Sequence, residues 1–588
     1  MNAAMDAHLD TLEQKIRQAA DLCQRLRDEN RELRQRIASL GAASLPAIIA
    51  GTSAASEPPP GAAIASAQVQ QTGQWAPLVT WPFVPIGITH LADGRLVGWA
   101  STQTTTFPVG ATFTYAAIYD PNTNAITPMN NTQHDTFCAG LATTGDGRII
   151  ISGGGADVRT TSVLGMLPRW NQSGWSRLND MINGRWYNSS ITMNDGNVLT
   201  MWGRSGGTLT EVFNQSTNLW SALSGISINP AAEVEDGIDE ANNRFPHFHW
   251  MPNGKILLPG PLKQMYWLDT TGNGSTQPAG TRTPDVDRYR KLAASVQFLP
   301  GKVLFAGGVD KRYNPLVWNT AVVIDTTSGT PVTTSTGSMS FARAFHNMVV
   351  LPNGEVFAAG GNSSAVKFSD TGGILPTEMW NPTTGQWRTL ASMAEPRGYH
   401  FLAILLRDGR VWAGGGGLCG CVADHLSGQI FSPGYLFNAD GSNATRPQIN
   451  LAPNDLKPGL TIGVTGSDDI TGFRLIRLQA TTHGYNSDQR YIPVTHTKTG
   501  AGATLTEDGA ERGARVVEAV ANAVDVPVTV KMRRGVENGS RDFAVAGPRF
   551  VEAGAQALTL HPRSARQMYT GHADHARKAH LLRQADGG

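Results

Sequence analysis

The sequence predicts a mainly β protein whose central part is a seven-bladed β-propeller, and three observations lead there. The 588-residue chain carries 65 Gly and 33 Pro with only 16% charged residues, the composition of turn-rich β structure. A turn signal followed by a short apolar strand recurs seven times, at Asp93-Gly94, Asp146-Gly147, Asp195-Gly196, Asn253-Gly254, Pro300-Gly301, Asn353-Gly354 and Asp408-Gly409. The glycines of successive copies lie 53, 49, 58, 47, 53 and 55 residues apart, which is room for four short antiparallel strands per unit.

The elements follow in chain order. Leu9, Ile16, Cys23, Asn30 and Ile37 line one seam of a heptad pattern, and Leu12, Ala19, Leu26, Leu33 and Leu40 the other. Residues 6–40 are therefore expected to form a coiled coil, with Asn30 favouring a parallel homodimer. Residues 41–74, which include Pro58-Pro59-Pro60, read as a linker. No basic stretch leads into an apolar run at the N-terminus, so no secretory signal is visible, and no run of eighteen apolar residues exists. Lys+Arg 48 against Asp+Glu 47 removes any bulk electrostatic case for nucleic acid or an anionic membrane as partner.

The propeller is placed at 75–428, each Asp/Asn-Gly joining two strands through a tight turn with both central residues at positive φ. Stretches such as Trp380-Asn381-Pro382-Thr383-Thr384-Gly385-Gln386-Trp387 continue the unit as kelch blades do. Residues 429–497 begin as an immunoglobulin-like antiparallel sandwich, with room for about four or five strands where about seven are usual. Over 498–588 helical periods at 511–524 and 541–553 alternate with strands at 526–531 and 557–560, a β/α pattern.

Imidazole with oxygen donors suits Cu(II), which makes Tyr399-His400 and His483 candidate ligands. Neighbours on a strand face opposite ways, so Tyr399 and His400 can share an ion only at a strand end or bend. By spacing alone Cys138 reads as a small buried hydrophobe. Cys419-Gly420-Cys421 is open between a disulfide, a metal site and neither.

Longer motifs carry a resemblance. His134-Asp135-Thr136-Phe137-Cys138 through Ser152-Gly153-Gly154-Gly155, the segment Arg185-Trp186-Tyr187-Asn188-Ser189-Ser190, Arg397-Gly398-Tyr399-His400, and Thr482-His483-Gly484-Tyr485 resemble, in order, segments of the galactose oxidase and glyoxal oxidase family. The resemblance spans about residues 75–493 and implies a copper-radical oxidase. It gives Cys138 a thioether to Tyr187, makes that pair the radical cofactor, makes Tyr399 the base, and assigns copper to Tyr187, Tyr399, His400 and His483. Phe137 and Phe368 match pocket aromatics. The family's Trp stacked over the thioether is displaced here to Trp202, with Arg204 at its position. Cys419-Gly420-Cys421 is one residue shorter than the family's disulfide loop, which argues against that bond.

The implied reaction oxidises a primary alcohol or small aldehyde and reduces dioxygen to hydrogen peroxide, in an extracytoplasmic setting. The alternative is an inactive propeller that binds carbohydrate or protein. Because the sandwich is short of strands, the hairpin bearing His483 is expected to be poorly supported and copper binding weak. The last 90 residues resemble part of a tRNA-dihydrouridine synthase, where the positions of Lys531 and His561 contact FMN. About two of eight barrel units are present and no Cys follows Cys421, so no separate activity is expected from them.

Overall fold

A computed structural model describes residues 68–505 except 109, 111, 166–173, 204–208, 229–244, 283–289, 311–315, 453–461, 468, 478 and 500–501, together with 529–533 and 557–561. The expected coiled coil at 6–40, most of the linker, Arg204 and the helical periods at 511–524 and 541–553 lie outside the described residues.

All seven turn signals join the first strand of a repeat to its second. These strands are apolar without alternation, as in Ile149-Ile150-Ile151, because sheets pack against both of their faces, and all but a few of their residues are buried. Fourth strands are largely exposed, as in Gln386–Ser392, where Leu390 is the one buried residue, because they form the outer edge of each sheet. The turns differ from the expected geometry. Gly94 Nα donates to Leu91 O while Leu91 N donates to Arg95 O, and only the glycine has positive φ. The same pair of bonds recurs at Gly147, Gly196, Gly254, Gly354 and Gly409. Each is a three-residue loop ending in a left-handed glycine, with the preceding Asp or Asn accepting a bond from the backbone N–H two residues on.

Five blades stand as separate sheets, built from strands within 140–177, 189–223, 247–281, 347–392 and 401–432. The last is completed by Gln74–Trp75, which pairs antiparallel with Phe431 and Ser432. The strands of the first and fifth repeats are instead joined in one eleven-stranded sheet. This corrects the expectation of seven separate kelch-like blades. The physical cause is the hairpin Ala480–Thr482/Tyr485–Val494, which pairs antiparallel with Gly87–His90 and parallel with Ala294–Leu299. Inner strands present unpaired backbone N–H and C=O groups to the propeller axis, and the hairpin supplies their partners.

Residues 445–475 and 493 onward form a second unit. Its described part holds a four-stranded antiparallel sheet ordered Ile449–Leu451, Ile462–Gly466, Gly502–Leu505, Thr497–Thr499. Among the described residues this sheet continues past residue 497, and Phe473 and Val494, on strands paired with each other, pack against its Ile462 and Val464. Thr529–Arg533 and Ala557–His561 pair in parallel. No helix among the described residues is long and apolar enough to cross a membrane.

Candidate metal centre

The expected site residues come from loops that enter inner strands. Tyr187 precedes Ser189–Thr192, His400 precedes Phe401–Leu405, and His483 is the turn of the axial hairpin. Cys138, Tyr187, His400 and His483 have φ of 55, 70, 70 and 53°, a left-handed conformation that non-glycine residues adopt at a cost and that surrounding structure must enforce. The left-handed turn resolves the objection that neighbours on a strand face opposite ways. Tyr399 and His400 lie before the strand and their rings sit 4.1 Å apart.

Buried arginines enforce these loops. Arg185, two residues before Tyr187, pairs with Glu211 and donates to the carbonyls of Trp202 and Leu209. Arg397, two residues before Tyr399, donates to Gly415 O and Ser427 O. Arg343 repeats the device with Glu378, Gly360 O and Pro376 O. The pattern Arg-x-aromatic was readable in the sequence as an internal repeat and was missed.

Cys138 Sγ, His400 Nε2 and His483 Nε2 converge, the sulfur lying 3.6 and 3.2 Å from the two nitrogens. His400 Nδ1 bonds Gly417 O at 2.6 Å, and His483 Nδ1 bonds the Thr482 hydroxyl. Each ring is thus oriented through Nδ1 and presents Nε2 inward, as metal-ligating histidines are. Burial, aided by the Lys367 charge and opposed by the Gly417 bond, lowers the His400 pKa to about 3, so the imidazole is neutral as a ligand must be. Tyr187 and Tyr399 lie edge-on to His483, with centroids at 5.9 and 5.2 Å. Tyr187 N donates to Cys138 O at 3.0 Å, which ties those two loops together. The donor set, two imidazoles with a thiol and two phenols beside them, fits copper.

The aromatic surroundings differ in part from expectation. Phe137 and Phe368 flank His400 at 5.8 Å each, bridged by Phe107, which sequence reasoning missed. Trp202 is fully buried in the apolar core with Ile191, Met201 and Phe248, its Nε1 donating to Ile228 O. It does not line the pocket among the described residues. Trp186 stacks on Tyr187 instead, at 4.9 Å and 16°. Phe245 stacks on His483 at 4.3 Å, and nothing in its sequence surroundings marked it. Cys419 and Cys421 are joined, with Sγ atoms 2.10 Å apart, which overturns the argument from the short loop.

His483 is firmly delivered. Asp488 accepts from Thr143 N, Thr192 N and the Thr192 hydroxyl, clasping two inner strands. Gln489 makes a two-way pair with the backbone of Val350, and Gln479 bonds Leu405 N and Ala403 O. Tyr485 OH donates to Ser190 O. The weak support expected for this hairpin is therefore corrected: its anchor is the propeller rather than the sandwich.

The family described as "Glyoxal oxidase N-terminus" matches residues 100–264, and "Galactose oxidase-like, Early set domain" matches 446–526. A galactose oxidase of Gibberella zeae is 34% identical over 448 residues, 73% of this chain and 65% of that protein, so the chain spans under two-thirds of its length. A fungal alcohol oxidase of the AA5 family, solved in complex with copper, shares 33% identity at a TM-score of 0.69, covering 74% of this chain and 93% of that one. "Dihydrouridine synthase (Dus)" matches residues 493–585, and a probable tRNA-dihydrouridine synthase of Treponema pallidum is 47% identical over 96 residues, 16% of this chain and 28% of that protein.

Proposed function

Because this chain belongs to the galactose oxidase and glyoxal oxidase family, we propose that its propeller is a copper-radical oxidase, converting a primary alcohol to an aldehyde, or a hydrated small aldehyde to an acid, while dioxygen becomes hydrogen peroxide. The observation that carries this reading is the convergence of Cys138, His400 and His483 beside two tyrosines at the tip of the axial hairpin. Copper, when bound, supplies a Lewis acid and one of the two redox equivalents the oxidation needs. His400 and His483 hold it through Nε2, with Tyr187 and Tyr399 as the oxygen ligands. Tyr187, bonded through its ring to Cys138 Sγ, supplies the second redox equivalent, since a thioether eases phenol oxidation. Forming that bond removes two hydrogens, which an oxidant such as dioxygen takes up. Trp186 shields the Tyr187 ring from water. Tyr399 accepts the substrate hydroxyl proton.

Peptide mapping after copper and air treatment tests the proposal. Linked peptides containing Cys138 and Tyr187, lighter by two hydrogens, are expected, together with peroxide from a panel of alcohols and aldehydes. Full copper loading with an unlinked Cys138 thiol would make the sulfur a ligand and end the radical assignment. Absence of turnover on the whole panel would leave a binding propeller.

A further inference from the structure

We propose that His247 is a specificity-determining residue, an N–H donor that selects alcohols carrying an oxygen acceptor close to the reacting carbon. Only the oxidation itself rests on the oxidase reading above; the donor does not.

His247 lines the pocket that opens onto Tyr187, Tyr399 and His483, and the oxidase chemistry makes no use of it. It begins the inner strand His247–Trp250 of the fourth repeat. His249 is two residues on, so both rings leave the strand on the same face. They meet there at Ser295, on the inner strand of the fifth repeat. Its Oγ lies 2.8 Å from His247 Nδ1 and 2.8 Å from His249 Nε2. Ser295 is placed in turn by its strand pairing with Tyr485 of the axial hairpin.

These three groups favour one arrangement of their protons. Burial, helped by the Arg282 charge, lowers the His247 pKa to about 3, and burial with the charges of His247 and Arg490 does the same for His249. Both rings are therefore neutral, with one N–H each, and the serine hydroxyl has one hydrogen to give. His249 Nδ1 is buried and has no hydrogen-bond partner. A buried N–H without an acceptor is rarer than a bare acceptor, so the hydrogen of His249 sits on Nε2 and is donated to Ser295. Ser295 then donates to His247 Nδ1, and His247 carries its own hydrogen on Nε2. With Nδ1 engaged, Nε2 is the nitrogen left to the pocket, and it is not sealed in as His249 Nδ1 is. The wall beside it holds Phe245, Pro261, Leu292 and Ala293. A substrate oxygen brought against them loses its water and needs a donor in return. His247 Nε2–H supplies one to the oxygen of a neighbouring hydroxyl, ether or carbonyl group.

2-Methoxyethanol and butan-1-ol, which differ by an ether oxygen in place of a methylene, test this on the copper-loaded full chain through peroxide release. Wild type is expected to favour 2-methoxyethanol about fivefold in kcat/KM. His247→Phe should move that ratio about tenfold toward butan-1-ol. His247→Gln, whose amide still donates, should move it less. A preference for butan-1-ol in wild type overturns the proposal without any variant, and so does the same ratio in wild type and His247→Phe; both leave the oxidase reading standing. A ratio in His247→Gln equal to that in His247→Phe traces the shift to packing and overturns it as well. If no alcohol is turned over, the oxidase reading falls and the dissociation constants of the same pair, from saturation-transfer NMR, decide. Tighter binding of 2-methoxyethanol by wild type but not by His247→Phe supports the donor, and equal binding by wild type overturns it.

Discussion

At the scale of single residues, the site is assembled from backbone conformations that non-glycine residues adopt at a cost. Cys138, Tyr187, Phe245, His400 and His483 all have left-handed backbones, each at a cost of about 1 kcal/mol or more. Buried arginines and backbone bonds between loops hold them there, so the site is rigid before any ligand arrives. His425 extends this control to the loop bearing Lys367 and Phe368. Its Nε2 lies 3.0 Å from Asp370 and its Nδ1 3.4 Å from Glu395. Burial disfavours its charge, and Arg397 does too, but hydrogen bonds to Asp370 and Glu395 outweigh both and raise its pKa. Burial also works against the Glu395 charge, yet bonds from His425 and Ser427 hold that pKa down to about 2. A histidine raised by folding stabilises in full below its unfolded pKa of about 6.5 and loses that stabilisation as pH rises through the folded value. Thermal scans from pH 6 to 9 should therefore show wild type losing about 1–2 kcal/mol relative to His425→Gln. A difference between the two proteins that stays constant with pH would show that no charged His425 holds this loop.

At the scale of elements, the hairpin over residues 480–494 decides whether there is a site. Counting strands in 429–497 gave a short domain and a poorly held His483, and the count looked in the wrong place. The informative signal was the run Asn486-Ser487-Asp488-Gln489-Arg490, polar residues on a strand that enters the middle of an apolar ring. Polar side chains are buried there because inner strands have backbone groups to satisfy, and Asp488 and Gln489 do so on separate blades. The repeat period and the order of the chemical residues were legible because both follow from local sequence. The pairing of the first and fifth repeats was not, because it depends on an element that begins at Ala480, well beyond the end of the fifth at Ser335. Asp488→Ala should leave Thr143 N and Thr192 N without acceptors in the interior, costing about 3 kcal/mol. Copper titration should show affinity falling at least about tenfold, since the loss acts on the strand that carries His483. Unchanged copper affinity with lowered stability would mean that His483 is positioned by its own turn alone.

At the scale of the molecule, ring closure is a non-local event that the sequence period does not announce. Gln74 and Trp75 pair with Ser432 and Phe431, so the chain's early strand completes the sheet of its seventh repeat more than three hundred residues later. Such a closure ties the start of the chain to its last repeat by a strand pairing, and without it that sheet has a free edge. Trp75 is the clasp. Its ring meets Phe431 of its own sheet at 5.1 Å, tilted by 47°, and reaches Phe357 of the sixth repeat at 6.3 Å. Its Nε1 donates to Ala391 O on that repeat's outer strand. Truncation to alanine removes the packing and leaves that carbonyl without its partner, at a cost of about 3 kcal/mol. The loss should be felt first at the seam. Hydrogen exchange in Trp75→Ala is expected to quicken at Ser427–Ser432 while Ser189–Thr192, on the third repeat, exchanges as in wild type. Uniform acceleration in both strands would instead mean that the ring opens only as a whole, because the axial hairpin, bonded to inner strands all round the axis, then holds the propeller closed more strongly than its own clasp.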